Sequence, residues 1–201
     1  MDVEQISENA FYLLALLNPP SKVMFLSAYE PSLTSGQNFE LSWKSSFAAL
    51  LILILVVVTG QFLLTRIFRV ELYSLQIAGG MVVFMIGWTA VREGRFVKNP
   101  ENVRSSFTDL SLVPLAAPLI AGPGMIAAVI ANGAEFGLPS TLLSMLLAIL
   151  INFGFMVFSS SINKFLVFTH LQGPLIRLAG LVIVVIALQM ALTGVKSCFG
   201  I

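Results

Sequence analysis

Charge is scarce in this chain: 10% of its 201 residues are Asp, Glu, Lys or Arg, while 57% are hydrophobic. Soluble domains carry about 25% charged and about 45–50% apolar residues. So few charges cannot solvate an ordinary surface, which excludes a soluble globular protein and leaves an integral membrane protein. The net charge of +1 supplies no basic field, so nucleic acid drops out as a partner. A single cysteine, Cys198, cannot form an internal disulfide, and with one histidine it leaves no His/Cys set for a metal. No metal or cofactor is expected. His170 has no acid near it in the sequence, and no nucleophile is paired with a base, so an enzyme is not expected. The N-terminus, MDVEQISENAF, holds acids and no Lys or Arg, the reverse of a secretory signal peptide.

What the chain has in abundance is apolar sequence of membrane-crossing length, about 20 residues for about 30 Å of hydrocarbon. Runs over 46–64, 72–91, 110–134, 138–162 and 175–195 reach it, and 10–29 is a sixth, interrupted by NPPSK at 18–22. Six spans put both termini on one side. That side holds Arg66, Arg69 and Lys196, whereas Lys44, Arg92, Arg95, Lys98, Arg104, Lys164 and Arg177 lie on the other. Lys and Arg gather in cytoplasmic loops. The expectation is therefore a multi-pass protein of the cell (inner) membrane with both termini extracytoplasmic. The polar RFVKNPENVRSSFTD at 95–109 reads as a connector. It divides the chain into a three-helix repeat at 1–91, a cytoplasmic linker at 92–109 and a second three-helix repeat at 110–201.

The halves resemble each other. QIAGGMVVFMIGW (76–88) aligns with RLAGLVIVVIALQ (177–189), placing Ala78 and Gly79 on Ala179 and Gly180, and Pro19–Pro20 fall opposite Pro123–Gly124. With three spans per half, the second copy enters the membrane upside down, the inverted-topology arrangement of many secondary transporters. The run at 110–134 is centred on Gly122 and the run at 10–29 on Pro19 and Pro20. The expected fold is thus all-α: six transmembrane helices as two inverted-topology repeats of three, with helices 1 and 4 broken near the midplane. Freed backbone at that depth survives only beside protein or a polar cavity. A half-helix beginning at Gly122 would present N–H groups and its positive dipole end to an anion. The alternative is that these residues only pack helices. Pro114 and Pro118, among Ala116, Ala117, Ala121, Ala127, Ala128 and Ala131, fit that better, while Gly122-Pro123-Gly124 reads as unwound.

Polar residues inside the spans narrow the choice of site. Asn18 sits beside the first break, where its amide could satisfy freed backbone groups or a ligand. Lys22 could meet a substrate carboxylate, complement the dipole at the end of the preceding half-helix, or snorkel to the interface. Gln61 and Asn152 either line a cavity or bridge helices. Asp109 reads as a helix cap, and Ser159, Ser160, Ser161 and Asn163 as a polar end to the fifth span. No carboxylate lies deep in any span, which disfavours coupling through a buried acid; a sodium ion or a proton remains as coupling ion. The substrate-binding set expected from these residues is Asn18, Pro19, Pro20, Ser21, Ala121, Gly122, Pro123, Gly124 and Met125, with Lys22, Gln61 and Asn152 coupling or lining. Alanine at Gly122 and Gly124 is expected to abolish transport without affecting insertion.

PLAAPLIAGPG (114–124) and NPPSKVMFL (18–26) resemble the MarC family of bacterial and archaeal membrane proteins, whose signatures look like PLAxPLxAGPG and NPxGxxPxF. LQIAGG (75–80) and RLAGLVIVVIALQMALTGV (177–195) extend the likeness from about Leu13 to Val195. The resemblance implies a six-span inverted repeat, distantly similar to the lysine-exporter superfamily. It also implies transport of small neutral amino acids of alanine and glycine type, including export. Within the first signature this chain has Pro20 for an aliphatic residue, Ser21 for glycine and Met24 for the second proline. Ser21 would narrow the site or add a hydroxyl to it. The expected partners are a small neutral amino acid or similar solute and the lipid bilayer, and a homo-oligomer is compatible with the pattern. A channel would share this topology but should show rings of polar pore residues. A non-transporting scaffold or regulatory protein would use the glycines and prolines only for packing.

Overall fold

A computed structural model describes residues 3–27, 33–94 and 120–200. The connector at 95–109, Asp109, Pro114, Ala116, Ala117 and Pro118 lie outside the described residues. All regular structure among the described residues is helical.

The apolar run at 10–29 is broken where the prolines predict. Helix α1 (Val3–Leu17) buries Asn9, Ala10, Leu13 and Leu17 along one stripe. It stops because Pro19 biases its predecessor away from helical backbone. That predecessor, Asn18, adopts φ 53°, a left-handed conformation that asparagine tolerates better than most residues. Helix α2 (Pro19–Ser27) starts on two prolines, in the turn where missing N–H groups cost least. The Asn18 N–H donates to the carbonyls of Leu14 (3.0 Å) and Ala15 (3.1 Å), and its own carbonyl accepts from Ser21 N (3.0 Å) and Oγ (2.7 Å). The break therefore closes its own backbone hydrogen bonds, as an apolar surrounding requires.

Helix α3 (Ser35–Phe62) begins well before the apolar run at 46–64. A capping box starts it: Gln37 N donates to Thr34 Oγ1, and Thr34 N donates to Gln37 Oε1. Its first turns bury Asn38, Ser42, Ser45 and Ser46 on one face, and it ends in a π-helical turn at Leu63–Ile67. Helix α4 (Leu72–Glu93) closes on Gly94 at φ 66°. Helix α5 (Pro123–Phe136) and α6 (Leu138–Val157) are joined at Gly137, φ 82°. The expected fifth span at 138–162 is corrected: α6 ends at Val157, and Ser159, Ser160, Ser161 and Asn163 belong to a separate short helix, α7 (Ser159–Phe168). The reason is a tertiary cap, since Asn38 Nδ2 donates to the carbonyls of Met156 (3.1 Å) and Val157 (3.0 Å) at the end of α6. Helix α8 (Gln172–Phe199) completes the order.

Four of these stretches are long and apolar enough to cross a membrane: Ser35–Ile67, Leu72–Glu93, Leu138–Val157 and Gln172–Phe199. Their outward faces carry large apolar side chains such as Leu55, Met85, Leu146 and Leu181. Inside, α1, α3, α5 and α6 share a core around Leu13, Leu17, Leu53, Val129 and Met145. Helices α4 and α8 make a separate antiparallel pair in which backbone meets backbone. A Cβ on Gly80 would lie 2.7 Å from the Ala187 carbonyl, one on Gly87 2.8 Å from that of Gly180, and one on Gly194 2.8 Å from that of Tyr73. Small residues permit this approach, the usual basis of helix association in lipid. Leu16 of α1 touches both cores.

Candidate functional site

A cavity of about 150 Å³ opens at the seam between the α1–α3–α5–α6 core and the α4–α8 pair. The break between α1 and α2 supplies Leu16, Asn18, Ser21 and Lys22 to its wall, and the entry into α5 with its first turn supplies Ile120, Gly122, Pro123, Gly124 and Met125. Val83 and Ile86 of α4 and Ile183 of α8 close it. Two proline-marked segments about a hundred residues apart in sequence thus face one space.

Each polar group reaches that space for a local reason. Gly122 is the N-cap of α5, with extended backbone (φ −65°, ψ 165°), and no side chain caps the helix. Pro123 has no N–H, so the free donors of the first turn are those of Gly124 and Met125, at the positive end of the helix dipole. Opposite them, Asn18 is 7% exposed and its Oδ1 has no hydrogen-bond partner. Leaving a buried acceptor unpaired costs about 1–3 kcal/mol, which a bound donor would recover. Ser21 is buried, and its hydroxyl donates to the Asn18 carbonyl, tightening the turn. The Lys22 side chain is 2% exposed, so it does not snorkel within this fold; its ammonium donates to the carbonyl of Leu17, the last residue of α1.

The other expected site residues fall elsewhere. Pro19 is buried and Pro20 half-buried, and they build the break without lining the cavity; Ala121 is buried beside the lining residues. Gln61 is exposed on α3 and lies outside the cavity wall. Asn152 is fully buried but also lies outside it, with Nδ2 3.3 Å from Met156 Sδ in its own helix and Oδ1 unpartnered. At Gly124 the expected effect of alanine changes cause: an added methyl would overlap Val83 Cγ2 of α4 before it blocked a ligand. Sequence reasoning missed the apolar wall of Leu16, Val83, Ile86 and Ile183, which nothing distinguishes from their lipid-facing neighbours. It also missed the buried cluster of Asn38, Ser42, Ser46 and Ser159, where Asn38 Nδ2 donates to Ser159 Oγ at 3.2 Å. The TSGQ segment at 34–37, a capping-box pattern, was the available signal that α3 begins there.

The chain matches, over residues 3–199, the family model described as MarC family integral membrane protein. It is 32% identical to a UPF0056 membrane protein of Pyrococcus horikoshii over 194 residues, covering 96% of this chain and 94% of the relative. A UPF0056 membrane protein of Bacillus subtilis is 26% identical, with 93% and 92% covered, and one of Methanocaldococcus jannaschii is 27% identical, with 92% and 93% covered. No solved structure matches. With a family match running through both proline-marked segments and every helix that walls the cavity, the chain belongs to the MarC family of integral membrane proteins.

Proposed function

We propose that the protein is a secondary transporter of small neutral amino acids, or of solutes of like size and polarity, working by alternating access. The observation that carries this reading is the meeting, at one cavity, of Asn18, whose buried Oδ1 is unpartnered, with the uncapped N-terminus of α5. A zwitterion needs both: donors for its carboxylate and an acceptor for its ammonium. The volume of about 150 Å³ suits a few heavy atoms, since a cavity of that size holds about one benzene and drug-sized ligands need about 300 Å³ or more.

The topology that goes with this reading has six spans in the cell (inner) membrane. The first is α1 with α2, the fourth ends in α5, and 92–109 is a cytoplasmic linker between repeats at 1–91 and 110–201. Both termini are extracytoplasmic. Support for inversion comes from α4 and α8, which occupy the third place in each repeat and pack antiparallel, with Gly87 and Gly180 each against the other's carbonyl. Rocking of that pair against the other helices would open the seam to either side in turn.

Counterflow of labelled alanine and glycine in proteoliposomes tests the reading. Saturable exchange is expected. Asn18→Gly keeps the left-handed backbone while deleting the amide, and should lower exchange at least about tenfold with no fall in expression or unfolding midpoint. Flux that conducts without saturation would make the protein a channel. A stable protein that moves no amino acid in a broad panel would make it a non-transporting scaffold or regulatory component.

A further inference from the structure

Lys22 is the one charge the first crossing carries beyond its opening turns, and insertion scales put a mid-membrane lysine at about 2.5–3.5 kcal/mol unfavourable. No carboxylate among the described residues forms an ion pair with it. Its ammonium instead donates to the carbonyl of Leu17, where α1 ends. The carbonyls of a helix's last turn lack helical partners and carry the negative end of the dipole. Those of Leu14 and Ala15 are taken by the Asn18 N–H; that of Leu17 is taken by Lys22. Asn18, whose buried Oδ1 is without a partner, and Ser21 are among the residues that line the adjoining cavity. Unwound backbone carbonyls at an interrupted helix's C-terminal end hold a free sodium ion in broken-helix carriers, and the Asn18 amide and Ser21 hydroxyl oxygens are further hard ligands close by.

We propose that the Lys22 ammonium is a tethered substitute for that ion: it fills the carbonyl-lined end of α1, so the intact protein binds no sodium there and removal of the side chain uncovers a sodium site. The chain thereby carries its own positive charge beside the cavity, facing the same space as the N-terminus of α5. The consequence for flux, independence of sodium, rests on the transport reading above; the binding claim does not.

The test is the thermal unfolding midpoint of the purified full chain in lipid nanodiscs, in sodium chloride against choline chloride at equal ionic strength. The wild type should unfold at the same temperature in both. Lys22→Ala should unfold about 3–6 °C higher in sodium, the shift expected when an ion binds only the folded form at about ten times its dissociation constant. A sodium-dependent rise in the wild type, or a Lys22→Ala protein indifferent to sodium, overturns the proposal. Lys22→Ser, which adds an oxygen, replaces the alanine variant if that does not fold; if neither folds, the wild-type comparison decides. In parallel, wild-type alanine counterflow should agree within twofold in the two salts. A protein that moves no amino acid fails the transport reading and leaves the unfolding data to decide this one.

Discussion

At Asn18 and Gly124, residue type is set by geometry on both sides of the cavity. Asn18 turns the chain at φ 53°, and its side chain presents an acceptor with nothing in the protein to pair with. Gly124 sits in the first turn of α5 against Val83 of α4, whose branched side chain is stiff and cannot swing clear of an added methyl. Gly124→Ala should destabilise the protein by about 1–3 kcal/mol through overpacking. Val83→Ala in the same chain should recover most of that loss, because the overlapping Cγ2 is gone. Unfolding midpoints of the two single variants and the double variant measure the coupling. Strictly additive midpoints would mean that α5 does not press on α4 there. The prolines and glycines that mark this contact were legible as breaks in an apolar run. Val83 was not, because one valine in a membrane helix looks like the next.

Among the helices, α3 and α6 are joined by polar chemistry. Asn38 reaches from the first turn of α3 to the carbonyls of Met156 and Val157 and to Ser159 Oγ. It ends α6 and sets the turn at Phe158 into α7. Asn38→Ala strands those carbonyls in a buried site and should lower stability by about 1–3 kcal/mol, read as a fall in the unfolding midpoint in nanodiscs. An unchanged midpoint would show that water or lipid headgroups satisfy them equally well. Hydropathy placed the start of this crossing at 46 because Asn38, Ser42, Ser45 and Ser46 are polar, and it carried α6 on to 162 because nothing local stops it. A local capping box at Thr34 and Gln37 starts α3, and a partner on another helix, Asn38, ends α6. Breaks coded by proline were readable from the chain; an end imposed by a distant amide was not.

In the molecule as a whole, the cavity exists because two packed units meet: α4 with α8 through glycine contacts, and α1, α3, α5 and α6 around a shared apolar core. Lys and Arg placement sets the proposed orientation, with the termini outside. Cys198, exposed near the end of α8 and the chain's one cysteine, provides the check. A membrane-impermeant maleimide should label Cys198 in intact cells. Labelling only after permeabilisation would reverse the orientation and place the connector at 92–109 outside.

Composition and apolar run length by themselves determined that this chain lives in a membrane as helices. The helix breakers determined where α1 gives way to α2 and where α5 begins, because proline and glycine act on backbone within one turn. Tertiary structure alone decided that the α1–α2 break and the start of α5 share a cavity, that Lys22 folds back onto Leu17 rather than reaching for the interface, and that Gln61 and Asn152 stand apart from it. Those outcomes depend on which helix faces which, and in a chain whose lipid-facing and protein-facing residues are equally apolar, that information lies in packing rather than in pattern.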